Sequence, residues 1–210
     1  MTEPKATSQQ SLCVFCGSSS VVDKHYIDLA RETGAAIGQS GYRLVYGGGG
    51  VGLMGACAKA AFEAGGDVLG IIPEFLQSRE VLYEDVPHEV VPDMHTRKAK
   101  MYDAADAFIV LPGGIGTLEE AVEVISWLRM GLHAKPVIFL DRDDYYAPLL
   151  SLIRHTCEAK FTPDWLSDFL YEVDTPAQAI ALARDNIGKR EVPQLFHQPK
   201  TKDVGILPTA

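Results

Sequence analysis

One stretch in the middle of the chain decides the fold: AFIVLPGGIGTLEE, at residues 107–120. It begins with the continuous apolar run 107–111, which is typical of a strand buried on both faces of a parallel sheet. A glycine-rich turn follows, and a helical pattern then extends over 116–130. A strand, a tight turn and a helix in this order form the first part of a βαβ unit.

Short apolar runs alternate with helical patterns along most of the remaining chain. The apolar runs predict strands at 12–16, 43–46, 67–72, 88–91, 107–111, 136–140 and 169–173. The helical patterns predict helices at 24–39, 52–64, 94–105, 116–130, 146–159 and 176–187. Strands that alternate with helices indicate right-handed βαβ crossovers. We therefore expect a single Rossmann-like, doubly wound α/β domain with a mainly parallel sheet over 11–189, and tails at 1–10 and 190–210.

The composition is that of an ordinary globular protein. The 210 residues are 47% apolar and 22% charged, which fits one domain with a buried core. The net charge of −9 argues against non-specific binding to nucleic acid or to an anionic membrane. No apolar run approaches the roughly 18 residues of a membrane span, and the polar start MTEPKATSQQS lacks the apolar segment of a secretory signal. We therefore expect a cytoplasmic protein.

The four cysteines do not have the spacing of a metal site. Cys13 and Cys16 lie on one predicted strand, where positions three apart face opposite sides of the sheet. Cys57 and Cys157 are isolated, whereas a zinc site needs a second pair of ligands. We expect four reduced, mostly buried thiols and no metal.

Ligands of such sheets bind beyond the carboxyl ends of the strands, so the turns that follow the strands are candidates for a site. Ser18 belongs to the turn after the first strand, and the turn after the second provides Gly47, Gly48 and Gly49 as candidate substrate-binding residues. Gly47, Gly49 and Gly52 match G-x-G-x-x-G, although a dinucleotide site carries this pattern after the first strand. The alternative is that the glycines only allow a helix and a strand to pack closely.

The turn after the fifth strand is the stronger candidate for an anion site. It contains Gly113, Gly114 and Gly116, which let the backbone approach a ligand, with Ile115 between them. Backbone N–H groups at a helix N-terminus bind phosphate, and the helix dipole assists them. The Thr117 hydroxyl either caps the helix or bonds to a phosphate oxygen, and the two interpretations are compatible.

A short basic run precedes this turn in the sequence. Arg97, Lys98 and Lys100 lie at the start of the third predicted helix, where positive charge opposes the helix dipole. A bound anion offsets that cost, whereas a lone basic run is usually a solvated charged face. The neighbouring glycine turns favour the phosphate interpretation.

Glu120 is a carboxylate in an apolar context. At helical spacing Glu119 lies on a polar stripe with Ser126, whereas Glu120 lies on an apolar stripe with Val124. Glu120 either stabilises the helix N-terminus or acts as a catalytic carboxylate beside a bound phosphate. The rest of the helix is apolar nearly all round, which indicates full burial or an oligomer interface.

Two segments of the sequence resemble the motifs of one known family. PGGIGTLEE at 112–120 resembles the PGGxGTxxE motif of the Lonely Guy (LOG) family, the cytokinin riboside 5′-monophosphate phosphoribohydrolases. MHTRK at 94–98 resembles the second motif of that family, and the similarity extends from residue 12 to about residue 188. The resemblance implies hydrolysis of the N-glycosidic bond of a cytokinin riboside 5′-monophosphate or a related adenosine monophosphate. The products would be a free base and ribose 5-phosphate, and no cofactor or metal would be needed.

The resemblance also implies roles for individual residues. Arg97 and Glu120 would be the catalytic pair. The substrate would be lined by Glu80, Lys98, Gly113, Gly114, Ile115, Gly116, Thr117, Glu119 and Ser126. Ser126 stands where plant members commonly have Thr, and the hydroxyl is retained. Family members are dimers or assemblies of dimers, so the resemblance implies a homodimer.

Three other functions are compatible with parts of the pattern. A non-catalytic nucleotide-binding or cofactor-carrier protein on the same fold would keep the glycine turns but would not need Glu120 beside Arg97. An NAD-type oxidoreductase would place its glycine fingerprint after the first strand. A pyridoxal-phosphate decarboxylase would need a lysine in a Schiff-base context, which the sequence does not offer convincingly.

Overall fold

The protein, described here from a computed structural model over residues 9–77 and 81–193, is built on one seven-stranded sheet. Its strands are β1 (Ser11–Phe15), β2 (Arg43–Tyr46), β3 (Val68–Pro73), β4 (His88–Val91), β5 (Ala107–Val110), β6 (Val137–Leu140) and β7 (Leu170–Val173). All neighbouring strands pair in parallel, in the order β4-β3-β2-β1-β5-β6-β7. This arrangement confirms the predicted doubly wound α/β fold. The domain limits stay a prediction, because 1–8 and 194–210 lie outside the described residues.

The helices follow the strands in alternation. They are α1 (Lys24–Ser40), α2 (Gly52–Glu63), α3 (Met94–Ala104), α4 (Ile115–Arg129), α5 (Ala147–Glu158) and α6 (Pro176–Asn186). Each predicted strand and helix begins and ends within one residue of the observed one. The sequence did not predict the two 3₁₀ helices, Glu74–Leu76 and Asp164–Phe169. Among the described residues, no helix has the length and apolar character that a bilayer crossing requires.

Both faces of the sheet are covered by helices. On one face Leu12 and Val14 of β1 pack with residues of α1, α2 and α6, and on the other Cys13 and Phe15 pack with residues of α3, α4 and α5. Cys16 lies in the first of these two clusters, so it faces away from Cys13 as predicted. All four cysteines are buried free thiols.

The strand order reverses between β1 and β5. The chain builds the sheet outward from β1 to β4 and then returns to place β5 on the other side of β1. The helices that follow these two strands, α1 and α4, pack on opposite faces of the sheet. A crevice therefore opens at the carboxyl ends of β1 and β5, which is where ligands of this fold class bind.

A buried histidine joins the end of α4 to the segment that leads into β6. His133 Nε2 lies 2.8 Å from the carbonyl oxygen of Val124, and Nδ1 accepts a hydrogen bond from the amide of Lys135 at 3.1 Å. Both ring nitrogens are thus satisfied in the neutral form. The pKa of His133 is lowered from 6.5 to about 4, mainly by burial and to a smaller extent by the nearby Lys135 charge, while the hydrogen bond to the Val124 carbonyl opposes the shift.

We expect this histidine to make folding stability depend on pH. Since the folded pKa is below the unfolded value, the contribution is complete above pH 6.5 and is lost as the pH falls towards 4. Between pH 7 and pH 5 the loss should be about 2 kcal/mol. Urea unfolding at both pH values measures it.

Two variants isolate the effect. His133→Gln should remove about 2 kcal/mol of the pH dependence, whatever it does to stability at pH 7. His155→Gln is the matched control, because His155 is an exposed helical histidine. Equal pH dependence in the wild type and His133→Gln would contradict this account.

Candidate functional site

An open cavity of about 170 Å³ lies in the crevice between the ends of β1 and β5. The turns after these two strands form opposite walls, and the start of α3 contributes a third side. The lining residues are Cys16, Gly17, Ser18, Met54, Met94, Arg97, Gly114, Gly116, Thr117, Glu119 and Glu120.

The carbonyl groups of the β5–α4 turn are all bound by the protein itself. Leu111 accepts from the Tyr146 hydroxyl at 2.7 Å, and Pro112 accepts from the Gly17 amide at 3.2 Å. The next two carbonyls, of Gly113 and Gly114, accept from the Tyr145 hydroxyl at 2.7 Å and from the Leu118 amide at 3.1 Å. Each of these four peptide planes is therefore held in its orientation by a hydrogen bond to its carbonyl.

The amides of the same turn, unlike its carbonyls, are not hydrogen-bonded within the described part of the chain. Within residues 9–77 and 81–193, no acceptor is hydrogen-bonded to the amides of 113–117. Four of these five residues are glycine or threonine, and they lead into the positive end of the α4 dipole. A run of available N–H groups at a helix N-terminus is an anion-binding site.

The glycines of this turn differ in whether a side chain would have space at their position. A Cβ at Gly113 would lie 2.2 Å from the Thr117 hydroxyl oxygen and 2.8 Å from the Gly17 amide, so packing excludes a side chain there. A Cβ at Gly114 or Gly116 would meet no atom within 4 Å. Protein packing therefore does not require glycine at these two positions, and the absence of a side chain leaves space for a ligand to approach the backbone.

Thr117 lines the cavity but does not cap α4. Gly114 occupies the N-cap position, and no side chain caps this helix. Thr117 lies inside the first turn and is buried. The prediction that its hydroxyl caps the helix is wrong, because α4 begins at Ile115, two residues before Thr117.

The other glycine turn, 47–50, is packed against the protein's own atoms. A Cβ at Gly47 would lie 1.9 Å from Nη2 of Arg97, and one at Gly50 would lie 2.3 Å from the carbonyl oxygen of Val81. At the start of α2, the amides of Leu53 and Met54 donate to the Gly17 carbonyl.

The structure therefore favours the packing interpretation for this turn. Gly47, Gly48 and Gly49 are not among the described residues that line the cavity. Glu74, the acidic residue that a dinucleotide site would use, is exposed in a 3₁₀ helix.

Arg97 and Glu120 come together at the base of the cavity. Nη1 of Arg97 lies 3.7 Å from Oε1 of Glu120, and only 7% and 11% of the two side chains are exposed. The guanidinium also donates to the carbonyls of Ile71 at 3.1 Å and Gly47 at 2.9 Å. Arg97 thus connects β3 and the turn after β2 with α4, a role that the sequence did not predict.

The two lysines of the basic run are paired with carboxylates. Lys98 Nζ lies 2.5 Å from Glu119 and 3.0 Å from Glu123, and Lys100 pairs with Glu89. Burial lowers the pKa of Lys98, but the two carboxylates outweigh it and the pKa lies above its ordinary value. The interpretation of the run as a solvated face is wrong for Arg97 and Lys98, whose side chains are 7% and 11% exposed, whereas the Lys100 side chain is 43% exposed. The charge of Lys98 is balanced within the chain, and its contact with substrate stays a prediction.

The remaining predicted residues divide into those at the cavity and those away from it. Ser18 and Glu119 line the cavity, whereas Ser126 lies on the exposed surface of α4, more than one helical turn beyond Glu120. Glu80 lies outside the described residues. Three further residues, Cys16, Met54 and Met94, line the cavity but were not predicted as site residues, although Met94 is the first residue of the 94–98 motif.

Cys16 is a thiol rather than a nucleophile at this cavity. Burial raises its pKa well above the ordinary value, and the negative charge of Glu120 adds to the shift. Because the thiolate is the reactive form of cysteine, this shift argues against nucleophilic chemistry at Cys16.

The fold and the cavity define a Rossmann-like α/β protein in which a glycine-rich helix N-terminus lies beside a buried carboxylate–guanidinium pair. The sequence matches the family described as "Possible lysine decarboxylase" over residues 54–183. The chain belongs to this family. Relatives with 39% and 48% sequence identity are named cytokinin riboside 5′-monophosphate phosphoribohydrolases, so the predicted resemblance to the LOG family is confirmed. No lysine is among the described cavity-lining residues, so they do not fit the Schiff-base chemistry of a pyridoxal-phosphate decarboxylase.

Two relatives illustrate the similarity. Cytokinin riboside 5′-monophosphate phosphoribohydrolase LOG1 of Arabidopsis thaliana is 39% identical over 199 residues, covering 94% of this chain and 93% of the relative. A cytokinin riboside 5′-monophosphate phosphoribohydrolase of Rhodococcoides fascians is 48% identical over 157 residues, covering 73% of this chain and 79% of the relative.

Solved structures with low sequence identity share the fold. The molybdenum cofactor carrier protein of Chlamydomonas reinhardtii superposes with a TM-score of 0.65 at 20% identity, covering 86% of this chain and 99% of that one. The molybdenum cofactor binding protein of Rippkaea orientalis gives 0.65 at 21% identity, with coverages of 85% and 98%. At this identity the likeness concerns the fold alone.

Because the space at Gly116 is open, we expect a side chain there to weaken ligand binding without lowering the stability of the protein. Gly116 is the second residue of α4, and alanine is the better helix former, so Gly116→Ala should unfold no more easily than the wild type and gain up to about 1 kcal/mol. Its methyl group would occupy space next to the available amides. The dissociation constant for AMP should therefore rise about ten-fold or more, because each lost charge-assisted hydrogen bond costs about 1.5–3 kcal/mol.

Urea unfolding and calorimetric titration with AMP measure the two quantities. Ser151→Ala, at an exposed position of α5, is the control that raises helix propensity away from the cavity. Unchanged AMP affinity in Gly116→Ala would show that the space beside this residue is not used by the ligand.

Proposed function

We propose that this protein hydrolyses the N-glycosidic bond of a cytokinin riboside 5′-monophosphate, or of a related adenosine monophosphate, to the free base and ribose 5-phosphate. One observation carries the proposal: Gly114, Gly116 and Thr117, whose amides have no hydrogen-bond acceptor among the described residues, line the same cavity as the buried Arg97–Glu120 pair. The names of relatives that are 39% and 48% identical support the same activity.

The 5′-phosphate binds at the N-terminus of α4 in this proposal. The amides of 113–117 donate to its oxygens, and the Thr117 hydroxyl adds a further donor. Three residues of helix, a rise of about 4.5 Å, separate Thr117 from Glu120. Phosphate binding therefore fixes the ribose near the carboxylate, and binding energy remote from the reacting bond lowers the barrier.

Glu120 acts at the ribose C1′. The bond from C1′ to the base nitrogen breaks with its electron pair leaving on the base, and C1′ takes on oxocarbenium character. The negative charge of Glu120 stabilises that state, and the carboxylate accepts a proton from the water whose oxygen bonds to C1′. The departing base takes up one proton, which is balanced by the proton that Glu120 receives from the water and then releases, so the products are neutral base and ribose 5-phosphate.

Arg97 supports this carboxylate. Two of its guanidinium nitrogens are held by backbone carbonyls, and a third faces Glu120. A fixed positive charge beside Glu120 favours the ionised form that the reaction needs. In this scheme Arg97 orients the Glu120 carboxylate and keeps it charged. Arg97 also lines the cavity, so it lies close to the substrate.

The cavity alone does not enclose a nucleotide, and a second copy of the chain completes it in our proposal. Its volume of about 170 Å³ is below the roughly 300 Å³ at which small-molecule sites begin. On α4, Ile115 is 84% exposed and Val122 is 46% exposed, an apolar surface next to the site. Burial of this surface against a partner copy gives the homodimer that the resemblance implies.

We expect the wild type to be a dimer at micromolar concentration in light scattering. Val122→Glu places a charge in the proposed interface, so it should shift the mass to that of a monomer and reduce activity with it. Leu152→Glu, at another exposed apolar position on α5, should leave the dimer intact. A fully active wild-type monomer would contradict the proposal.

The cysteines bear on the cellular compartment. Four buried free thiols fit a reducing compartment, and we propose the cytoplasm.

The buried Arg97–Glu120 pair argues against a carrier function. A carrier protein on this fold would keep the anion site, but it would not need a buried carboxylate beside an arginine. The carrier neighbours share about a fifth of the sequence, which supports the fold and not the carrier function.

Incubation with N6-isopentenyladenosine 5′-monophosphate, AMP and N6-isopentenyladenosine tests the function. Free base and ribose 5-phosphate should appear in equal amounts from the monophosphates. The riboside should react at least about 10²-fold more slowly, because it lacks the group that the amides bind. Binding of the monophosphates without product release would identify a carrier instead.

Glu120→Gln separates the catalytic role from a helix-dipole role. The variant should fold and bind AMP, yet lose about 10²–10⁴ in kcat. Glu119→Gln is the control one position away. Glu119 is half-exposed, and Lys98 keeps Glu123 when Glu119 is neutralised, so its kcat should change little. A Glu120→Gln enzyme with wild-type kcat would overturn the assignment.

A further inference from the structure

Two adjacent tyrosines hold the outer side of the β5–α4 turn. Both follow β6, on the chain segment that leads into α5. The buried Tyr146 hydroxyl donates to the carbonyl of Leu111, and the Tyr145 hydroxyl donates to that of Gly113, each at 2.7 Å. The two accepting carbonyls belong to the residues on either side of Pro112, so the tyrosines hold the turn at two points.

A buried carboxylate sets the position of both tyrosines. Asp141 directly follows β6, and its side chain accepts from the amide of Tyr145 at 3.0 Å and from that of Tyr146 at 3.2 Å. Its own amide donates to the carbonyl of Val173 in β7 at 3.1 Å. Through Asp141, the backbone of both tyrosines is therefore fixed to the edge of the sheet.

The bond from Tyr145 also determines where an amide points. In a planar trans peptide the C=O and N–H groups point in opposite directions, and the described chain contains no cis peptide. Since the Gly113 carbonyl is directed at Tyr145, the Gly114 amide is directed away from it. Gly114 lines the cavity and has no acceptor among the described residues.

The peptide between Gly113 and Gly114 needs such an anchor. Glycine adopts a wider range of backbone dihedrals than any other residue, so a Gly-Gly peptide rotates easily unless it is held. Tyr145 is 41% exposed and its bond lies at the surface, where it adds little to the stability of the fold.

We propose that Tyr145 is a positioning residue: its hydroxyl fixes the Gly113–Gly114 peptide so that the Gly114 amide faces the bound anion, and Asp141 and Tyr146 fix Tyr145. The identity of the anion as a 5′-phosphate rests on the proposed function. The orientation of the peptide does not.

Tyr145→Phe removes the hydroxyl and keeps the ring. The ring packs edge-on against Tyr26 and Tyr146, with centroids 5.9 Å and 5.0 Å apart, and these contacts remain in the variant. Tyr171→Phe is the matched control. It also loses one 2.7 Å hydroxyl bond, to Asn186, at the edge strand β7.

Calorimetry with AMP and adenosine, together with steady-state kinetics, measures the functional effect. In Tyr145→Phe the Kd and KM for the monophosphate should rise about two- to ten-fold, the effect of one lost hydrogen bond. The kcat, the melting temperature and the adenosine affinity should stay close to the wild-type values. Tyr171→Phe should show none of the ligand effects.

Amide NMR of the ligand-free protein tests the positioning without any nucleotide. The Gly114 signal should broaden or shift in Tyr145→Phe as the peptide samples a second orientation, and it should be unchanged in Tyr171→Phe. An unchanged Gly114 signal, or equal losses of affinity for AMP and adenosine, would overturn the proposal. A wild type that binds AMP no better than adenosine would instead refute the proposed function, and the Gly114 signal would still decide the positioning role.

Discussion

The site depends on an asymmetry in the hydrogen bonding of one turn. Every carbonyl from Leu111 to Gly114 is bound by the protein, while no described group is bound to the amides of 113–117. Unpaired amides are costly when they are buried, so this turn is stable only where an anion or water can reach it. The reversal of strand order between β1 and β5 provides that opening, and the α4 dipole gives it a preference for negative charge.

The second constraint is the buried guanidinium of Arg97. A charge with so little exposure needs partners, and Arg97 finds them in two backbone carbonyls and in Glu120. The same contacts connect β3 and the turn after β2 with α4. The arginine therefore joins the packed turn at 47–50 to the carboxylate, and the glycine at position 47 is required because a side chain would displace Nη2.

The sequence predicts much of this molecule, and its failures have physical reasons. Helix and strand limits follow from periodicity, and they agree with the structure to within one residue. The sequence ranks the turn at 113–117 above the turn at 47–50 as an anion site, but it keeps both as candidates, because both are rich in glycine and both precede a helix. The distinction lies in tertiary contacts: Gly17 binds the first amides of α2, whereas no described group does so at α4. The pairing of Lys98 with Glu119, and the hold of Tyr145 on Gly113, likewise join residues 21 and 32 positions apart.

In our proposal the turn at 113–117, and not the turn at 47–50, binds the 5′-phosphate. Titration of ¹⁵N-labelled protein with ribose 5-phosphate, followed by amide NMR, distinguishes the two turns. We expect saturable downfield shifts of the amides of 113–117, with smaller changes at 47–50. Shifts centred on 47–50, with the amides of 113–117 unchanged at saturation, would contradict the proposal.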